Sequence, residues 1–524
     1  MLHWRLSSRT PLQSVAFLVL ASACTLCAQP PAITQEGVRN AASHIPPSLP
    51  GGALAPGALF TIDGLRLAAA GVRTRVRLME GKLAMEATVL SAGAERIEAR
   101  VPMEARAGSA QLMVIRGDES SRAFDLRIAP SAFGIFTRNG AGWGPGEITD
   151  ASGAGNTPAT PARPGSILTL LGTGWGAART AEIYAGGRRA RFLSRSPHAQ
   201  DQGTDEIRFQ LPLDTPPGCY VPLVVKASAT VSNVATIAVA PAVRPCPAAA
   251  RADALVLLAR VHIHARLNGG NPVGFPEEIG AAVFPANRPG APLSAWELLP
   301  PAGTCAALTG RRTGDSAAPG GGDFRPFAAR PGRDAGPRLT ITGPHGAAAL
   351  SRSPRAPDLY LASLGGGLPL RATKPPFLDP GHYTVTGPGG KDLGPFQAEA
   401  DFGSRLEWLQ PWRLDRIDRA RGAAVEWRGA TPNERVLVAA VSVDALSRAT
   451  GAALCVAPGM AGHVRLPPLL LANLPATRNV PGVPQSYLVV AALPAGTPPS
   501  FHARGIQTGI LLAVEAYART VQFR

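Results

Sequence analysis

Pro56-Gly57-Ala58-Leu59-Phe60-Thr61-Ile62-Asp63-Gly64 returns as Pro164-Gly165-Ser166-Ile167-Leu168-Thr169-Leu170-Leu171-Gly172, a displacement of 108 residues from Gly57 to Gly165. In each copy a Pro-Gly turn launches an apolar, β-branched run that stops at a glycine, the pattern of a strand bounded by turns. The copies stay in step downstream. Ile97 to Pro102 corresponds to Ile207 to Pro212, Gly108-Ser109 to Gly218-Cys219, and Leu126 to Pro130 to Ile237 to Pro241. A repeat of roughly a hundred residues is too long for a solenoid unit and is the size of one immunoglobulin-like sandwich. The sequence therefore predicts an all-β chain that opens with tandem β-sandwiches and continues into further β-sandwich domains.

Composition agrees. The 58 glycines and 52 prolines among 524 residues show no collagen-like period and fall between short apolar runs, as a turn-rich all-β protein requires. The formal charge of +16 comes almost wholly from arginine, since lysine occurs only at 82, 226, 374 and 391. The densest basic groups, Arg188-Arg189-Ala190-Arg191 and Arg413 through Arg421, are short, and Asp415 and Asp418 interrupt the second. Specific nucleic-acid binding concentrates cations on one face beside stacking aromatics, so a dispersed, solvated arginine surface is the better reading.

Residues 1–28 have the layout of a secretory signal peptide. Arg5 and Arg9 precede an uncharged apolar stretch from Leu12 to Leu26, and Ala28 offers a cleavage point before Gln29. Cleavage there leaves a chain of +14. Leu20-Ala21-Ser22-Ala23-Cys24 offers the alternative of a lipoprotein box, in which lipidation at Cys24 would be the one route to a membrane. Four cysteines remain: Cys219, Cys246, Cys305 and Cys455. An even number in an exported chain favours disulfides, with three possible connectivities. Cys219–Cys246 is the simplest local staple, which leaves Cys305–Cys455 to tie distant parts of the C-terminal half.

In order, the expected organisation is a linker at 29–46, a sandwich at 47–130, a Gly-rich linker at 131–160 and a second sandwich at 161–242. Strands at 250–310 then join those at 403–524, around a flexible loop at 311–337 and a small inserted sandwich at 338–402. The Pro-Gly-x-x-x-Thr-x-x-Gly opening, the strands ending in Val101-Pro102 and Leu211-Pro212, and the closing Ala129-Pro130 and Ala240-Pro241 resemble the IPT/TIG type of immunoglobulin-like domain. Phe133 to Thr137, Gly172 to Gly176, Gly218 to Pro222, Pro300 to Cys305, Leu339 to Pro344 and Pro380 to Val385 are similar, in the same order, to segments of uncharacterised secreted proteins of soil bacteria that carry such domains in tandem. The resemblance implies an exported β-sandwich protein with a binding or structural role, and it supplies no catalytic residues.

The search for chemistry is brief. Gly-x-Ser-x-Gly, His-Glu-x-x-His, Walker and EF-hand patterns are missing, and nothing calls for a cofactor. Gly140 to Gly144 and Gly172 to Gly176 lack the strand–loop–helix setting of a nucleotide loop and read as turns beside packing tryptophans. His262 and His264, two apart on a strand, point the same way, but without a third ligand they read as solvent-facing rather than metal-binding. Asp201, Asp205 and Glu206 fall short of a calcium site and read as decoration on a solvated insertion. Trp408, Trp412 and Trp427 make a candidate sugar-stacking platform, with core packing as the plainer role. The expected function is non-catalytic: adhesion, ligand binding or envelope structure with a polysaccharide or protein partner. The alternative is a carbohydrate-binding or polysaccharide-degrading extracellular protein.

Overall fold

A computed structural model describes residues 29–199, 201–241, 253–266, 272–284, 299–311, 332–354, 356–367, 374–447, 449–478 and 486–524. The signal-peptide and Cys24 readings, Cys246 with its proposed partnership, and residues 312–331 of the expected loop lie outside these residues. Strands dominate, and the one α-helix among the described residues is the single turn Pro468–Leu471. No described helix is long and apolar enough to cross a membrane.

The repeated stretch does the same work twice. Ala58 N–H bonds to the Ala55 carbonyl at 3.0 Å and Ser166 N–H to Arg163 at 3.0 Å, closing tight turns with Gly57 at φ +75° and Gly165 at φ +87°. Proline at the second position and a left-handed glycine at the third are what a type II turn needs. Each turn releases a strand, Leu59–Leu65 or Ile167–Thr173, whose Phe60 and Ile62, or Leu168 and Leu170, enter the core.

The first sandwich comprises β1 (Ala32–Asn40), β2 (Leu59–Leu65), β3 (Thr74–Glu80), β4 (Leu83–Ala92), β5 (Arg96–Arg100), β6 (Gly108–Arg116) and β7 (Phe124–Ile128). The first half of β4 pairs with β3 and its second half, past a bulge between Val89 and Ser91, pairs with β5. One strand thus turns the corner between two sheets, as bulged strands do. The second sandwich comprises β8 (Ile167–Thr173), β9 (Ala181–Ala185), β10 (Arg188–Pro197), β11 (Asp205–Gln210), β12 (Gly218–Ala227) and β13 (Ala235–Val239). Its β10 makes the same corner, with a bulge between Phe192 and Ser194.

Both expected linkers are corrected. The 29–46 stretch holds β1, which pairs antiparallel with β2, because Val38 and its neighbours cover an otherwise open edge of the first core. Within 131–160, Gly134–Ile135 and Ile148–Asp150 pair with β8, Gly144–Pro145 pairs with β13, and Phe133, Ile135 and Ile148 fill the second core. The sandwiches are locked together as well. Buried Asn40 donates to the Ala132 carbonyl at 3.1 Å and the Thr173 carbonyl at 3.3 Å, while its own oxygen accepts from the N–H groups of Ala42 and Ser43.

The third unit is one 13-stranded sheet. Its strands are β14 (Ala254–Arg266), β15 (Pro272–Val283), β16 (Thr304–Arg311), β17 (Arg338–Gly343), β18 (Gly346–Ser353), β19 (Ala356–Gly366), β20 (Gly381–Gly387) and β21 (Phe396–Phe402). After β22 (Ala423–Arg428), which lies outside it, come β23 (Glu434–Val443), β24 (Ala449–Pro458), then β25 (His463–Leu466), also outside, β26 (Tyr487–Pro494), β27 (Ser500–Ala503) and β28 (Ile506–Thr520). The order is β16-β24-β23-β26-β28-β14-β15-β19-β18-β17-β20-β21, with β27 beside β28. The strands after 253 do join those after 403, through the parallel β14–β28 ladder and through β16–β24, where Cys305 faces Cys455 and forms a disulfide.

Residues 338–402 are not a separate sandwich. β19 pairs with β15, and their core mixes Leu339, Tyr383 and Phe396 with Val256, Leu258, Phe284, Phe501 and Leu511. The reason is length: five short strands expose more apolar surface than they can bury alone, and β14, β15 and β28 supply the missing face. The other half of the sheet packs under the small β22–β25 layer, with Trp408, Trp427 and Leu471 between them, and Val224, Val231 and Val234 of the second sandwich join that core.

Candidate functional site

β14 begins as a core strand, with Ala254, Val256 and Leu258 buried on the inner face. Two residues further the same face carries Arg260, then His262 and His264. Its parallel neighbour β28 changes at the same level, from Leu511 and Ala513 to Glu515, Tyr517 and Arg519. The register sets Arg260 against Glu515, His262 against Tyr517 and His264 against Arg519. Alternation along each strand keeps all six on one face. Central parallel strands are usually apolar throughout, so this polar seam between two apolar cores departs from what the fold needs.

Its contacts are specific. His262 Nε2 lies 2.6 Å from Glu515 Oε1, and the His262 ring stacks on Tyr517 at 4.7 Å between centroids. His264 lies nearly parallel to Tyr517 on the seam, 6.4 Å away. Tyr517 donates its hydroxyl to the Leu406 carbonyl at 3.1 Å. At one end Arg519 bonds the Asp415 carboxylate, and the Trp412 carbonyl lies 3.5 Å from its Nη2. At the other end Arg260 Nε donates to Glu278 at 2.9 Å, its Nη2 to Asp379 at 3.0 Å and to the Leu378 carbonyl, and its guanidinium lies over the Phe402 ring. His345 Nε2 continues the row, 2.6 Å from Asp379.

Electrostatics follow from these partners. Burial opposes the charge of Arg260, but bonding to Glu278 and Asp379 outweighs it and holds the guanidinium pKa above its ordinary value. Burial, then the nearby Arg519 and His262, push His264 down, so it favours the neutral form. Burial and Glu515 push Tyr517 up. Glu278, 1% exposed, also accepts the N–H groups of Phe377 and Leu378. Each carboxylate here is already held by a cation, a histidine or backbone N–H groups. That arrangement suits fixed hydrogen-bonding recognition better than proton transfer or nucleophilic attack.

The tryptophan platform is corrected. Trp408 and Trp427 are cross-strand partners, each 3% exposed in the core, and Trp427 Nε1 donates to the Gly459 carbonyl at 2.8 Å. A ring so enclosed offers no face to a sugar. Trp412, 63% exposed on the 3-10 turn Pro411–Arg413, stands alone at the Asp415 end of the seam. The histidines face the way the alternation predicts, but as partners of Glu515 and Tyr517 rather than as simply solvated groups. No group of three metal-ligating side chains occurs among the described residues. Asp205 is likewise not surface decoration. Its side chain is buried, bonds Arg195 and accepts the Trp175 N–H at 3.2 Å, because the insertion folds back onto β10.

Glu515, Tyr517 and Arg519 escaped the sequence reading. The signal existed: Val514-Glu515-Ala516-Tyr517-Ala518-Arg519 alternates just as Val261-His262-Ile263-His264 does. What sequence withheld was the pairing of strands some 250 positions apart, as the His262–Glu515 separation of 253 shows.

No family model matches the chain, and no curated protein sequence does. Among solved structures it is similar to a surface glycan-binding protein of Prevotella bryantii, at 12% identity over 40% of this chain and 41% of that one, with a TM-score of 0.16. It is also similar to a Bacteroides ovatus surface glycan-binding protein in complex with a mixed-linkage heptasaccharide, at 11% identity over 60% and 71%, with a TM-score of 0.20. A tetra-tandem repeat from the extending region of a large adhesion protein matches at 11% identity over 94% and 99%, with a TM-score of 0.15. The chain thus spans about two fifths of the first of these and seven tenths of the second.

Proposed function

We propose that this is an exported, non-catalytic, multi-domain β-sandwich protein, built on tandem IPT/TIG-type modules, that binds an extracellular ligand at the seam of its third sheet. The observation that carries this reading is the in-register row Arg260–His262–His264 against Glu515–Tyr517–Arg519. It places charged and aromatic side chains on the inner face of strands that folding alone would fill with valine and leucine. Because His262 stacks on Tyr517, the row meets a ligand chiefly through the hydrogen-bond donors and acceptors of its charged and imidazole groups.

The carbohydrate alternative has one specific support. Trp412 offers an open apolar ring beside charged hydrogen-bonding groups, the combination that saccharide recognition uses. Affinity electrophoresis of the mature chain through a panel of neutral and acidic polysaccharides tests it. Retardation in at least one polysaccharide is expected, weakened severalfold to about tenfold in Trp412→Ala, in line with the worth of one aromatic contact. Retention in none of them removes the carbohydrate reading and leaves adhesion or envelope structure. Release of reducing ends during the same incubations would overturn the non-catalytic assignment.

A further inference from the structure

The hydrogen-bonding capacity of the seam is unevenly taken up. Glu515 is held by His262, Asp415 by Arg519, and Asp379 by Arg260 and His345. Tyr517 gives its hydroxyl to the Leu406 carbonyl. His264, by contrast, makes no hydrogen bond to the described residues and meets Tyr517 only ring to ring. Beside it in register, Arg519 is 4% exposed, and its Nε donor also lacks a partner among the described residues. Buried donors almost always find an acceptor, so a free imidazole and an orphaned guanidinium N–H at one register position exceed what folding requires.

The sheet leaves this position open on its other side. β15 pairs Gly274 with His264 and Pro276 with His262, and both β15 residues are exposed. A Cβ placed on Gly274 would lie 3.5 Å from His264 Nδ1 and 3.7 Å from its Cε1. Contact would thus begin at the first carbon, and any longer side chain would spread across the imidazole. Gly274 does not have the positive φ that demands glycine, so backbone conformation does not account for it. A glycine inside a strand marks a place where another group can approach closely, and here the group it uncovers is the one left unengaged.

Charge narrows the ligand class. Burial, with Arg519 and His262 nearby, favours the neutral form of His264. A neutral imidazole offers one N–H donor and one acceptor, and a hydroxyl answers both. A cationic ligand at His264 would meet Arg519, its register partner. An anionic one would find both guanidinium groups of the row already paired, Arg260 with Glu278 and Asp379 and Arg519 with Asp415. We propose that the notch between His264 and Gly274 takes an uncharged, hydroxyl-bearing ligand, a neutral saccharide, and that His264 is the residue that reads its hydroxyl. This deepens the reading of the seam as the binding site and rests on it.

Affinity electrophoresis of the mature chain in gels of neutral dextran, pullulan or galactomannan, and of acidic polygalacturonate, decides the matter. At least one neutral polysaccharide is expected to retard the chain, and added salt should not weaken the effect, since no ion pair is formed with the ligand. His264→Phe keeps an aromatic ring but removes both hydrogen bonds, and it should weaken retention about tenfold. His264→Gln restores a donor and an acceptor and should keep most of the retention. Gly274→Val, at an exposed position, should cover the imidazole and weaken retention as well, with thermal unfolding of each variant as the check on folding. Undiminished retention of His264→Phe or, should that variant not fold, of Gly274→Val would overturn the proposal while leaving carbohydrate binding at Trp412 in place. A loss in His264→Gln as large as in His264→Phe, or retention in polygalacturonate alone, would overturn it too. Retention in no gel would remove the carbohydrate reading and this proposal together.

Discussion

His44 shows how much one half-buried side chain can decide. Burial, then the positive charges of Arg39 and Arg96, lower its pKa from 6.5 to about 4. In the unfolded chain it would take up a proton near pH 6.5; in the native state it resists until about pH 4. The unfolded state therefore binds more protons in that window, and stability falls as pH drops through it, by about 3 kcal/mol at most. Above pH 6.5 the contribution is fully present. Thermal unfolding from pH 7.5 to 4 should show this loss, and His44→Asn, which tolerates the local φ of +52°, should flatten it. Asn40 is the other decisive residue, since its amide serves two carbonyls and two N–H groups at the junction of the sandwiches. Asn40→Ala strands those groups in the interior and should cost about 3 kcal/mol in denaturant unfolding. At this scale sequence misled in an instructive way. Trp408, Trp412 and Trp427 lie close along the chain, but nearness says nothing about which face a ring takes, and strand pairing sent two of the three inward.

The strands follow local rules more faithfully. Type II turns at Pro56-Gly57 and Pro164-Gly165 were legible because only glycine accepts their positive φ without strain. Gly165→Ala should cost about 1–2 kcal/mol, and Gly57→Ala a similar amount, since the turns are copies. Paired chemical-denaturation curves of the two variants check this, and a large inequality would show that the copies are not mechanically equivalent. Two strands of the first sandwich were less legible. β1 sits in a stretch of alanines, prolines and polar residues that looks like a linker, and only its pairing with β2 makes it a strand. β4 reads as an exposed ribbon because it leaves one sheet for the other midway, so neither face stays buried along its length.

Across the whole molecule the Cys305–Cys455 disulfide closes a separation of 150 residues between neighbouring strands. In the chain-entropy picture such a loop contributes up to about 5 kcal/mol. Cys305→Ser/Cys455→Ser should lower the unfolding midpoint accordingly, and reducing agent should move the wild type but not the double variant through this bond. By itself the sequence determined the all-β class, the tandem modules and their turns, because turn chemistry and period-two burial are local. It also placed His262 and His264 on one face of a strand, for the same reason, while reading them as solvent-facing. Only the tertiary structure decided that 338–402 shares a sheet with strands from both sides of it, that Glu515 lies against His262, and that Arg519 stands beside His264. Those facts depend on pairings between distant segments, chosen by the burial of whole faces, and no short window of residues carries that information.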